Sequence, residues 1–207
     1  MSSARSLTTT SFAILGLLAI RPFSSYELVK QMDRNLGRVW PRAGSKLYEE
    51  PKKLVDAGLA TGVNEMVGRR PRTVYSITPA GRAALAEWLR DPGEGPVLEW
   101  EQLLKVWFSD HGTKADALAS LAAAREWAAG LNEENKKAGR AYIAGEGPFQ
   151  HRAAQNMITG AFITDFTALV ARWAEWATAE VEKWPDNPAE AIPDRAAMEA
   201  IARRADW

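Results

Sequence analysis

Cysteine is absent from the 207 residues, which excludes disulfides, thiolate metal sites and cysteine nucleophiles together. Histidine is nearly absent. His111 and His151 stand far apart with no carboxylate pattern around either, so both read as solvated surface groups and no metal is expected. No apolar run approaches the roughly 18 residues that cross a bilayer. The longest, residues 12–20, follows a single arginine (Arg5) and lacks a small-residue cleavage site, so neither a membrane span nor a signal peptide is expected. The chain reads as a cytoplasmic protein. No nucleophile–base pairing, phosphate-binding loop or metal spacing is present either, so no enzymatic activity and no cofactor are expected.

Net charge is the last absence, and it conceals a division. Lys+Arg and Asp+Glu both number 26, yet residues 1–90 hold 14 basic against 7 acidic groups. Residues 91–207 keep the remaining 12 basic and 19 acidic, so the two segments carry +7 and −7. Such a split suits a chain whose first part meets a polyanion.

The N-terminal pattern is one of short elements with clear punctuation. A helix is expected from the Thr8-Thr9-Thr10 cluster to Ile20, burying Ile14, Leu15, Leu17 and Leu18 before Arg21-Pro22 stops it. Ser24 and Glu27 have the spacing of a capping box, with Phe23 and Leu28 as its hydrophobic staple, and Gly37 is a natural stop. A third helix starts near Ser45 and ends at Gly58, with Leu47, Pro51, Leu54 and Val55 on one face. Two alternating segments near 60–65 and 73–78, separated by Met66-Val67-Gly68-Arg69-Arg70-Pro71-Arg72, read as a hairpin. Thr78-Pro79 opens a fourth helix that Asp91-Pro92 closes. Three short helices, a hairpin with a basic tip and a further helix make a winged helix-turn-helix.

Past Gly93-Glu94-Gly95-Pro96 the pattern is helical throughout, over about 97–109, 115–143 and 149–184. The last of these carries two apolar lines. One runs through Ile158, Phe162, Phe166, Leu169, Trp173 and Trp176; the other through Met157, Ala161, Val170, Ala174, Ala177, Val181 and Trp184. Two lines exceed the need of one small core, so one is assigned to the subunit and the other to a dimer partner. The expected fold is mainly α: residues 1–91 a winged helix-turn-helix DNA-binding domain, 92–184 an all-helical dimerisation and effector domain, and 185–207 a proline-containing tail with room for a short helix at 194–204.

Gly44-Ser45-Lys46-Leu47-Tyr48, Lys53-Leu54 and Ala57-Gly58-Leu59 resemble the recognition helix of PadR-family transcriptional regulators. The run from Gly68 through Arg72-Thr73-Val74-Tyr75 to Gly81-Arg82 is similar to that family's wing and following helix. Ser25-Tyr26-Glu27-Leu28 matches its second helix. The likeness is dense over about residues 7–90 and thinner over 97–184. It departs where the family has proline after the tyrosine and leucine further on; here Glu49 and Pro51 stand there. Pro51 removes a bond to the Leu47 carbonyl and is expected to kink the helix.

Helix-turn-helix geometry then places Ser45, Lys46, Tyr48, Glu49, Lys52 and Lys53 at or beside the major groove. Lys46 and Lys52 meet either guanine edges or phosphates; Tyr48 is either a groove residue or half-core; Glu49 either accepts from cytosine or is a solvated charge. Arg69, Arg70 and Arg72 at the wing, and Arg42 before the recognition helix, suit phosphates or a narrow minor groove. The expected partner is double-stranded DNA carrying an inverted repeat, bound by a homodimer. Family resemblance implies a small aromatic effector, for which Trp100, Trp107, Trp173 and Trp176 are candidates; the competing reading makes them dimer-core anchors. The competing function is a winged-helix module that docks protein rather than DNA.

Overall fold

The computed structural model describes residues 7–37, 39–40, 44–67 and 70–206. Two compact units, residues 1–96 and 97–207, divide the chain. The architecture is mainly helical, with one three-stranded antiparallel sheet in the first unit.

Helix α1 spans Thr9–Ile20. Thr8 caps it through a box with Ser11, in which each side chain accepts from the other's backbone N–H. Ile14, Leu15, Leu17 and Leu18 are buried, as the pattern predicts. Chain reversal at Arg21 and Pro22 leads into β1 (Phe23–Ser24), a two-residue strand that the sequence pattern does not reveal. It pairs with the hairpin's second strand, Phe23 opposite Tyr75 and Ser24 opposite Val74. Helix α2 covers Ser25–Gln31 behind the expected Ser24–Glu27 capping box. The Ser24 backbone N–H donates to Glu27 at 2.8 Å and holds that carboxyl below the usual glutamate range.

Helix α2 ends differently from expectation. It widens into a π-turn over Met32–Leu36, and Gly37 follows with a right-handed φ of −57°. Gly37 is thus no left-handed cap. A Cβ there would lie 2.5 Å from the Asp33 carbonyl oxygen, which the wider turn brings inward.

Helix α3, Gly44–Asp56, runs unbroken through Pro51. Gly58 closes it in the left-handed conformation (φ +72°). Leu59 N–H donates to Leu54 C=O and Gly58 N–H to Val55 C=O, both at 2.9 Å, the paired bonds of a Schellman ending.

The hairpin strands are longer than the alternation suggests. β2 spans Ala60–Val67 and β3 Arg70–Ile77, paired from Ala60–Ile77 to Val67–Arg70. Residues 66, 67 and 70–72, expected in the turn, therefore belong to strands, because the ladder continues wherever neither chain must bend. Helix α4, Pro79–Trp88, starts on the expected Thr78 cap but stops before Asp91-Pro92. Phe12 stacks on Trp88 with ring centroids 5.1 Å apart, tying α4 to α1.

The second unit contains α5 (Glu101–Trp107), α6 (Lys114–Ile143), α7 (Ala153–Glu182) and α8 (Arg195–Arg203). Residues 97–100 and 149–152, expected to be helical, are outside the α-helices: the first four have no regular structure, and Gln150–Arg152 form a 3-10 turn after Phe149. Phe149, at φ +53°, breaks the register before α7. The tail forms a 3-10 turn at Pro188–Glu190 and then α8, capped by Asp194.

Helices α6 and α7 make the core of this unit through small residues. Ala117 and Leu121 pack with Ala177 and Val181; Ala124 and Ala128 pack with Val170 and Ala174. The order inverts along the two helices, so they run antiparallel. Lys114 Nζ donates to the carbonyls of Glu182 and Trp184, neutralising the C-terminal end of α7.

Two glycines of the first unit separate two kinds of constraint. Gly58 has a positive φ but open space around a Cβ, so Gly58→Ala should cost roughly 1 kcal/mol from backbone strain alone. At Gly81 a Cβ would sit 2.1 Å from the Leu59 carbonyl oxygen and 2.9 Å from Ile77. Gly81→Ala should therefore cost about 3 kcal/mol or more. Urea unfolding of both variants checks the order; equal losses would refute it.

Candidate nucleic-acid interface

The site is built on α3, and its geometry follows from what holds that helix inward. Leu47, Glu50, Pro51 and Leu54 are buried, and Tyr48, Glu49 and Lys52 are exposed. The outward face is therefore a tyrosine, a carboxylate and an ammonium side by side. Lys52 carries no ion pair among the described residues, which leaves its charge open to a polyanion. Tyr48 is 44% exposed, so of its two sequence readings the half-core one describes its surroundings only in part.

Lys53 behaves differently. Its Nζ donates to Glu50 Oε2 at 3.0 Å and forms an ion pair with it. Glu50 is the residue that the sequence reading misses. It sits between Leu47 and Leu54 on the inward face, only 6% exposed, and its other oxygen accepts from Ser11 Oγ of α1 at 2.5 Å. The signal was present in the spacing 47, 50, 51, 54, which already defines one helical face.

Before α3, Trp40 donates its indole N–H to Thr10 Oγ1 at 3.0 Å and so pins the approach to the helix against α1. Arg21 lies 3.9 Å over the Phe23 ring and pairs with Glu27 at 3.3 Å. Arg42 falls outside the described residues, as does Arg69 at the wing tip. Ser45 and Lys46 lie on the first turn of α3 and Arg70 at the first position of β3; their side chains are likewise outside what is described.

Arg72 is in β3, directly opposite Glu65 of β2. The two form an exposed cross-strand ion pair at 3.1 Å, and Thr73 donates to Asn64 Oδ1 at 2.8 Å beside it. This pairing escapes the sequence reading because it depends on the longer ladder. The wing thus carries one arginine whose charge is already partnered by a carboxylate that water still reaches.

The aromatic candidates of the second unit separate into two kinds. Trp100 and Trp173 meet edge to face, centroids 5.0 Å apart, and both pack on the Ala124–Val170 core. Trp100 also lines an open cleft of about 520 Å³ with Leu98, Glu99, Leu103 and Leu104. Trp107 is 78% exposed, and Trp176 lies beneath the Arg204 guanidinium at 5.7 Å. The four indoles therefore do not form one cluster: only Trp100 and Trp173 touch.

The two apolar lines of α7 also part. Val170, Ala174, Ala177 and Val181 are buried against α6, whereas Ile158, Phe162 and Leu169 of the other line are 68%, 60% and 53% exposed. Met157 and Ala161, grouped by spacing with the buried line, are exposed, since the chain makes about two and a half turns between Ala161 and Val170 and so carries them to the opposite side of α7. Phe162 stacks on the half-buried Phe166 at 6.3 Å, and Phe166 meets Trp127 edge to face. No helix among the described residues is long and apolar enough to cross a membrane.

Residues 14–87 match the transcriptional regulator PadR-like family. The chain is similar to the negative transcriptional regulator PadR of Bacillus subtilis, 32% identical over 99 residues, covering 47% of this chain and 54% of that protein. The match thus spans about half the length of that relative. Among solved structures, Bacillus subtilis PadR in complex with operator DNA superposes with a TM-score of 0.72 at 22% identity, over 84% of this chain and 99% of that one. The same regulator in complex with p-coumaric acid gives a TM-score of 0.65 at 20% identity, over 85% and 100%. The likeness to both extends the shared fold beyond the winged helix into the long C-terminal helices. Residues 14–87 thus carry the pattern of the PadR-like family of transcriptional regulators, and the order of elements over the rest of the chain is similar in fold to solved members of it.

Proposed function

We propose that this chain is a homodimeric, sequence-specific DNA-binding repressor, without enzymatic activity and acting in the cytoplasm, that a small aromatic effector releases from its operator. The observation that carries the reading is the outward face of α3, where Tyr48, Glu49 and Lys52 project from a helix clamped on its opposite side. Ser45 and Lys46 precede them on the same helix, and Arg42, Arg69, Arg70 and Arg72 supply phosphate contacts around it. The relative solved with operator DNA supports this use of the fold. The proposed units are residues 1–91 for DNA, 92–184 for dimerisation and effector, and 185–207 as a tail.

Binding to duplex DNA is expected to weaken steeply with salt and to favour an inverted repeat with half-sites roughly 34–36 Å apart. Selection from a random duplex pool by the full chain, followed by gel shift across salt concentrations, checks both points. Glu65→Gln, which frees Arg72, should strengthen binding to every duplex several-fold at low salt. It should also steepen the salt dependence by about one counterion. Unchanged affinity would mean that Arg72 does not approach the phosphates.

Ile158, Phe162, Leu169 and Trp176, with Phe166 and Trp173 beneath them, are proposed as the dimer surface. Exposed side chains of this size on one helix are the anchors that interfaces bury. Light scattering at micromolar concentration should report two chains for the native protein and one for Phe162→Glu, with the same helical content by circular dichroism. A native monomer would remove the two-fold reading.

For the effector, Trp100 beside its cleft and Trp173 behind it give an indole pair that a planar ring can reach. The relative solved with p-coumaric acid supplies the ligand class. Titrating the full chain with phenolic acids should quench tryptophan fluorescence saturably, and Trp100→Phe should lose most of that response. No saturable response across a panel would leave Trp100 and Trp173 as core anchors.

A further inference from the structure

A carboxylate inside a helical core needs a reason, and Glu50 lies on the very helix that faces DNA in the reading above, on which this inference rests. Its two oxygens are assigned separately. Oε1 accepts from Ser11 Oγ at 2.5 Å and Oε2 from Lys53 Nζ at 3.0 Å. Ser11 is itself buried and already engaged, since its Oγ accepts from the Thr8 backbone N–H at 2.9 Å. The chain of bonds thus runs from the cap of α1 through Glu50 to the surface of α3.

The next residue is Pro51, which has no N–H to offer the Leu47 carbonyl. The helix therefore lacks a backbone bond in the turn where Glu50 is anchored. Apolar contacts from Leu47 and Leu54 hold α3 down but are non-directional and leave its rotation about its own axis soft. A short, charge-assisted bond to a fixed hydroxyl is directional. Tyr48, Glu49 and Lys52 flank Glu50 on the helix, so their aim is set by the same rotation.

We propose that Glu50 is a positioning residue that fixes the rotation of the recognition helix, and with it discrimination among DNA sequences, while Lys53 is drawn into this clamp instead of onto DNA. The test uses a duplex selected from a random pool by the native full chain and an unrelated duplex of equal length. Glu50→Met keeps the bulk without an acceptor; Ser11→Ala removes the anchor; Glu50→Gln keeps an acceptor for Ser11. The first two should lower the ratio of selected to unrelated affinity by about tenfold, the scale of one lost base contact, with unrelated binding within about twofold. Glu50→Gln should restore most of the ratio, a rescue that bulk packing alone does not explain. Lys53→Met should leave unrelated binding within about twofold, since a phosphate contact would weaken all duplexes.

An unchanged ratio in Glu50→Met or Ser11→Ala, or a loss that Glu50→Gln does not rescue, overturns the positioning role. Weakened binding of every duplex by Lys53→Met overturns the assignment of that lysine. Should Glu50→Met fail to melt cooperatively, Ser11→Ala and Glu50→Gln decide the question. If the native chain selects no duplex, the DNA-binding reading fails separately. The clamp is then read by amide hydrogen exchange, which should quicken across α3 in Ser11→Ala; unchanged exchange there overturns it.

Discussion

A proline in the eighth position of a thirteen-residue helix leaves one carbonyl without its intrahelical donor, and the N-terminal unit is organised around keeping that helix whole. Leu47, Pro51 and Leu54 bury one face of α3, and the Schellman bonds at Gly58 finish it firmly. The chain then turns directly into β2, whose partner β3 also pairs with β1 ahead of α2. Gly81 is pressed against the Leu59 carbonyl, so α4 locks the same corner from outside. Helices α1 and α2 and strand β2 touch α3, and α4 meets the turn that ends it. The outward face of α3, proposed to read DNA, is left unsupported, and the opposite face carries the restraint.

The second unit solves a different problem with different residues. Alanines at the α6–α7 seam let two long helices approach closely, and a seam so small buries few large side chains. The bulky groups consequently lie on the flanks. Trp100 and Trp173 cover one edge of the seam, while Phe162, Ile158 and Leu169 face outward on α7. An apolar surface of that kind is unusual for an isolated subunit. The close small-residue seam and the exposed large-residue stripe thus arise together: what the intramolecular core leaves out is available for a partner.

Legibility in the sequence tracks how local each feature is. The Ser24 capping box, a threonine cap somewhere in Thr8–Thr10, the Thr78-Pro79 start and the Gly58 ending depend on residues within one turn and were readable, whereas the box that Ser11 makes with Thr8 was not read. Strand β1 was not, since two residues carry no period and pair only once β3 is in place. The π-turn after Gln31 leaves no mark in composition either. At the candidate site, the outward position of Lys52 followed from helical spacing. The partner of Arg72 did not, because it depends on hairpin register, nor did the anchor of Glu50, the partner of Lys53, which is a serine 39 residues away. A basic residue read from sequence is a charge without an address. Its partner must be known before it is counted toward a polyanion.

That distinction sharpens the electrostatics of the +7 segment. Arg21, Lys53, Arg72 and Arg90 each meet a carboxylate of the same unit, but the pairs are not equivalent. Surface pairs such as Arg72–Glu65 are worth little and are screened by salt. When a phosphate approaches, the arginine can turn to it and water resolvates the glutamate, so the exchange costs at most about 1 kcal/mol, the several-fold that Glu65→Gln should return. Lys53 has no such freedom. Its departure would leave Glu50 buried with one oxygen unpaired, a penalty of about 1–3 kcal/mol or more for a charged group. A single phosphate contact at the surface does not offset that. The same formal charge is therefore recruitable on the wing and locked on α3, and burial of the counter-ion decides which.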